Sequence, residues 1–117
     1  PLNVKTRILT LSTFIPDTTP PFVQTYTAIS ANPLDLLLNE AVDISSAETP
    51  ANYMVNNGVG FPVSAVRDVS NASLVHLTFS LAFPVRNNLQ ITINGVKDLS
   101  GNAINNLNGT FSYFIPF

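Results

Sequence analysis

Leu34-Asp35-Leu36-Leu37-Leu38-Asn39-Glu40 is the stretch whose reading decides the fold. Wound as a helix, DLLLNEAV would be plausible, but Pro33 precedes it and its apolar positions recur every second residue. As a strand it turns Leu34, Leu36 and Leu38 inward and Asp35, Leu37 and Asn39 outward. Two later stretches alternate in the same way. Leu74–Ser80 sends Val75, Leu77 and Phe79 inward, and Leu89–Asn94 sends Leu89, Ile91 and Ile93 inward.

Around these three the remaining chain reads as short extended pieces. Phe22–Ile29 is a strand with Phe22, Gln24, Tyr26 and Ala28 on one side, after a connector stiffened by Pro20-Pro21. Asp43–Glu48 reads as a helical turn capped by Asp43 or Ser45, with Glu48 at the reciprocal position and Pro50 ending it. Asn52–Asn56 is a short strand before the turn signal Asn57-Gly58. Phe61–Val69 is a strand bent near Pro62, and Ser70–Ser73 a polar turn. Seven or eight short strands at roughly ten-residue spacing, with no long helix, give an all-β antiparallel sandwich.

One segment occurs twice. Thr10-Leu11-Ser12-Thr13-Phe14-Ile15-Pro16 returns one hundred positions later as Thr110-Phe111-Ser112-Tyr113-Phe114-Ile115-Pro116, identical at five of seven positions. Both copies suit a strand that stops at a proline, and the separation matches one small sandwich. The expected division is an N-terminal strand arm, residues 1–16, and a β-sandwich, residues 17–117. The second copy (Thr110, Phe111, Tyr113, Phe114, Ile115) closes the home sandwich. The first then carries Ile8, Leu9, Leu11, Phe14 and Ile15 on an edge that something must cover. It is expected to be the closing strand of a preceding module, a donor strand inserted in a neighbouring subunit, or an extra edge strand folded back on its own module. Insertion could gain about 5 kcal/mol from ladder hydrogen bonds and about 1.5–3 kcal/mol for each large side chain buried.

Of 117 residues only 10% are charged, and the net charge is −2. That leaves no basic field for phosphate, so nucleic acid is not an expected partner. There is no cysteine for disulfides or thiolate metal sites. No run approaches the roughly 18 apolar residues of a membrane helix, so membrane insertion is not expected. A chain beginning at Pro1 reads as a processed chain or as a piece of a longer one.

The series Asp17-Thr-Thr-Pro-Pro21, Leu34–Asp43, Asn52-Tyr53, Leu77-Thr-Phe-Ser80 and Asn94–Asn102 resembles bacterial Ig-like modules of the S-layer (SbsA) type. The resemblance covers residues 17–117, and departs where Ala41 stands in place of a proline. It implies a non-enzymatic spacer, stalk or adhesive module, secreted or on the cell surface, whose partners are its own copies or neighbouring Ig-like modules. The alternative is a glycan- or protein-binding module attached to a secreted enzyme; the absence of Trp counts against sugar binding.

Few residues invite chemistry. His76 is the single histidine, and alternation places it on the outer face. The loop Asp98-x-Ser100-Gly101-Asn102 spaces oxygens as calcium loops do, and Asp17, Glu40 or Asp43 could join it. It lacks a further acidic ligand, so the favoured reading is a turn shaped by Asp98 and Asn102, with Gly101 at positive φ. Glu40 and Asp43 as a glycosidase pair have no aromatic groove to serve. No catalytic residue and no cofactor is expected, calcium apart.

Overall fold

The computed structural model describes residues 17–84 and 86–113. Among them are seven strands: β1 (Val23–Thr27), β2 (Pro33–Leu38), β3 (Tyr53–Val55), β4 (Ser64–Arg67), β5 (Leu74–Thr78), β6 (Arg86–Ile93) and β7 (Leu107–Tyr113). Two antiparallel sheets form, ordered β1-β2-β5-β4 and β3-β6-β7. This is the Ig-like sandwich expected.

Period-two patterning builds the core. Leu34, Leu36 and Leu38 of β2 and Val75 and Leu77 of β5 are buried from one side. Tyr53, Val55, Leu89, Ile91, Ile93, Phe111 and Tyr113 meet them from the other. The buried Tyr53 hydroxyl donates to the Ala47 carbonyl at 2.6 Å, so its burial leaves no polar group unpaired.

Three local expectations need correction. On β1, Phe22 and Gln24 do not share a face with Tyr26 and Ala28. Val23 pairs with Leu38 and Thr25 with Leu37, a bulge that shifts the alternation. Val23, Tyr26 and Ala28 therefore pack on the core, while Phe22 and Gln24 are exposed. Next, Asp43 alone caps the helical turn α1 (Ile44–Ala47), accepting from the Ser46 amide at 2.9 Å. Glu48 lies beyond that turn, and its carboxylate accepts from the amide of Arg67 at 3.0 Å. The helical turn is over before Pro50, as expected, and Pro50 opens a separate 3-10 turn, Pro50–Asn52. Finally, the extended stretch after Phe61 shortens to β4, with Pro62 buried.

The registers fix where the chain arrives and leaves. Val23 of β1 pairs with Leu38 at the end of β2, and Leu107 of β7 with Ile93 at the end of β6. The Val42–Asp98 bridge and the hydrogen bond from the Asn102 side chain to the Asp17 carbonyl join these ends, so Asp17–Phe22 and the β6–β7 loop share one end, here called proximal. Tyr113 pairs with Arg86 at the start of β6, so β7 runs to the opposite, distal end.

Candidate functional site: the closing strand and the acidic end

β7, the last of the described strands, is an edge of its sheet and pairs with β6. Phe111 and Tyr113 are buried, while Thr110 and Ser112 face outward. Phe83, from the β5–β6 connection, is the hub they pack against. Its ring stands edge-on to Phe111 at 5.2 Å, to Phe79 at 5.3 Å and to Tyr113 at 6.2 Å. On the other flank Tyr26 of β1 lies over Gly109, so closely that a Cβ there would meet its ring.

These contacts distinguish the two copies of the repeated segment. The N-terminal copy carries Leu11 where the C-terminal one has Phe111, and Thr13 where it has Tyr113. Seated in that slot it would offer Phe83 neither of the two aromatic partners that β7 supplies. One position earlier it carries Leu9 in place of Gly109, a side chain that Tyr26 leaves no room for. Ile8, Leu9, Leu11, Phe14 and Ile15 lie outside the described residues, as do Phe114 and Ile115 of the matching copy.

The proximal end carries the acidic group. Carboxylate oxygens of Asp17, Glu40 and Asp98 lie within 4.8 Å of one another. The Asp98–Asn102 loop is a hydrogen-bonded turn: Asp98 Oδ1 accepts from the amides of Ser100 (2.9 Å) and Asn102 (2.8 Å), and Oδ2 from Asn102 Nδ2 (2.9 Å). Gly101 takes φ +91°. The Asn102 side-chain amide also donates to the Asp17 carbonyl at 2.9 Å, tying the incoming chain to the loop. Burial of Asp98, which is 1% exposed, works against its ionised form. Hydrogen bonds led by those of the Asn102 side chain and backbone outweigh it and hold the carboxyl below its usual range.

Asp17 and Glu40 thus join Asp98, as two of the three candidates for that loop; Asp43 is spent on its helix cap. Partial burial first, then the charges of Asp17 and Asp98, push the Glu40 carboxyl up. All-oxygen donors of this kind suit a hard divalent cation. Asp98, however, already accepts three hydrogen bonds within its turn. In chelating buffer, Glu40→Gln is expected to raise Tm by a degree or two by removing like-charge repulsion; an unchanged or lower Tm contradicts that electrostatic account. A melt of the unsubstituted protein in millimolar calcium tests for the cation, and no shift leaves the turn as the whole explanation.

His76 lies on the outer sheet face, as alternation predicts, but it is not a bare surface residue. Nδ1 is 2.8 Å from Asp35 Oδ1 and Nε2 is 2.9 Å from Asp68 Oδ1. A neutral imidazole has one N–H and serves one carboxylate; only the imidazolium serves both. Hydrogen bonding to Asp68, then to Asp35, raises the His76 pKa above its ordinary 6.5. The same bond from His76 leads those that hold Asp68 below 3.8. The histidine's contribution is complete below pH 6.5 and fades as pH rises through the raised folded value. That of Asp68 is present above 3.8 and is lost as pH falls through the lowered value. Melting temperature is therefore expected to be highest between about pH 4 and 6.5, and His76→Gln to flatten the decline on the alkaline side. An alkaline limb that survives the substitution assigns it elsewhere. The Asp35–His76 pairing follows from the β2–β5 register; without that register, the sequence offered no signal for it.

Residues 10–114 match the family model described as bacterial Ig-like domain. The match begins inside the N-terminal repeat, taking in residues 10–16. No curated protein matches the chain. Among solved structures, the S-layer protein rSbsC(31–844) is similar at TM-score 0.73 and 19% identity, over 85% of this chain and 14% of that one. The N-terminal part of the bacterial S-layer protein SbsC is similar at 0.73 and 20%, over 85% and 24%. Surface layer protein SbsC, domains 1–6, gives 0.73 and 17%, over 97% and 16%. The chain thus spans under a quarter of the length of each of these proteins, and at such identities the likeness is one of fold. The matched span covers all seven strands, and the chain belongs to the bacterial Ig-like domain family.

Proposed function

We propose that this is a non-enzymatic structural module of an extracellular or cell-surface assembly, joined to its neighbour through residues 10–16. The observation that carries the reading is the repeated strand. Its second copy is an edge strand seated by Phe83 and Tyr26. Its first copy has a residue set that fits that slot poorly. A strand shaped to close a sandwich, yet ill suited to close this one, belongs to another: the module preceding it in a tandem chain. The S-layer proteins of similar fold, one of them described as domains 1–6, support that arrangement.

Removing residues 1–16 tests the reading. The full chain is expected to self-associate with rising concentration, because the arm's apolar strand seeks an edge. The shortened chain, which keeps all seven described strands, is expected to stay folded and monomeric. Identical monomeric behaviour of both, by light scattering, would remove the arm from any role in assembly.

A further inference from the structure

Large apolar side chains that remain exposed are not spread evenly over this sandwich. The sheet faces carry two among the described residues, Met54 on β3 and Val66 on β4. The others lie in the segments at the two ends. At the distal end Ile29 is in the β1–β2 loop, Phe61 and Val63 in the β3–β4 connection and Leu81 in the β5–β6 connection. Hydrogen bonds from Val63 N to Thr78 O and from Phe79 N to Asn32 O hold these loops side by side. At the proximal end Leu99, 71% exposed, lies within the Asp98 turn and Phe22 just before β1, and Ile44 and Val69 lie on the adjoining connections.

The repeat sets how far apart two such ends can be. Thr13 aligns with Tyr113, the last residue of β7 among those described, and Asp17 is the residue whose carbonyl Asn102 holds. Phe14-Ile15-Pro16, recurring as Phe114-Ile115-Pro116, is all that lies between. Four Cα steps span about 14 Å at full extension. That is little more than the separation of two packed sheets, about 10 Å, so the loops at the facing ends have no room for a solvent gap. Exposed apolar side chains at both ends are what such a joint requires.

Resting on the reading that residues 10–16 close a preceding module, we infer that these modules stack end to end. The distal loops bearing Ile29, Phe61, Val63 and Leu81 dock on the proximal end, with Phe22 and Leu99, of a second copy of the module. So short a connection brings the facing ends of consecutive modules into contact.

The test is a two-module chain, residues 1–116 followed directly by a second copy of residues 17–117. NMR relaxation and small-angle scattering read whether the modules move together. Tumbling as one body of twice the mass is expected. Val63→Glu with Leu81→Glu in the first module should release the two into independent tumbling. The same pair in the second module, whose distal end faces no partner, should change nothing and shows that both modules still fold. Independent tumbling of the unsubstituted tandem overturns the inference, as does a rigid tandem indifferent to the first-module substitutions. Closed two-fold dimers of the single chain that these substitutions abolish, together with an independently tumbling tandem, would pair the distal end with itself rather than with a proximal end, and overturn it too. Because the joint here is built from residues 110–116, failure of the arm's proposed role shows in the deletion of residues 1–16, not in this experiment.

Discussion

Phe83→Ala is expected to lower the free energy of unfolding by about 3–5 kcal/mol, the range for removing a buried aromatic ring. Phe83 is 3% exposed and stands edge-on to Phe79, Phe111 and Tyr113. The loss combines its transfer from water, the cavity left behind, and edge-to-face contacts of about 0.5–1.5 kcal/mol each. A domain of this size moves about 4–8 °C in Tm per kcal/mol, so the melt should fall by more than ten degrees. The position matters beyond its area because two of the three partners are on β7. Without the hub the closing strand loses what holds its inner face, and β7 amides should exchange faster than those of β2 or β5. Phe83→Leu keeps most of the volume and should recover part of the loss. A destabilisation of Phe83→Ala below about 1 kcal/mol, or β7 protection that follows the rest of the protein, would show that the strand is seated by something else.

Asp98→Ala is the second large effect, expected at about 2–3 kcal/mol. The substitution leaves three donors without their acceptor, the amides of Ser100 and Asn102 and the Asn102 side chain. It also loosens the tie from Asn102 to Asp17 that anchors the incoming chain. Removing a negative charge beside Asp17 and Glu40 offsets part of this, so Asp98→Asn is the informative companion. Its side-chain oxygen can still accept from both amides, whereas its NH2 group faces another NH2 group on Asn102. An order of stability of wild type, Asn, then Ala in urea denaturation supports the hydrogen-bond account. Ala as stable as wild type, or more so, would mean that carboxylate repulsion dominates the turn.

Much of the fold was legible because burial on one face leaves a period of two. Leu34, Leu36 and Leu38, with their counterparts on β5 and β6, declare themselves within a few residues of chain. What escaped was set by pairing partners. The bulge at Gln24 exists only because β1 must match Leu37 and Leu38 of β2. Phe83 stands in an irregular connection with no period to mark it, and its role is visible only when Phe79, Phe111 and Tyr113 converge. The acidic end was half legible. Oxygen spacing singled out Asp98, and proximity in the fold selected Asp17 and Glu40. Asp43, equally acidic and nearer to Asp98 in sequence than either, went to a helix cap because backbone amides at a helix start need acceptors. The histidine shows the same limit: its outward direction is local, but its two aspartates arrive from another strand and from a turn.

The chain's arrival at one end of the sandwich and departure from the other also decides how the module bears a load. Tension applied through its two termini runs parallel to the strands, drawing β1 one way and β7 the other. The ladder from Leu89–Phe111 to Ile93–Leu107 is then strained in shear, its hydrogen bonds loaded together rather than opened one after another from an end. A hairpin pulled from adjacent ends unzips; this arrangement resists as a unit, and the packing of Phe111 and Tyr113 on Phe83 must yield before β7 can slide. The same tension loads the β1–β2 ladder in shear, so both terminal strands of the described module resist it along their length.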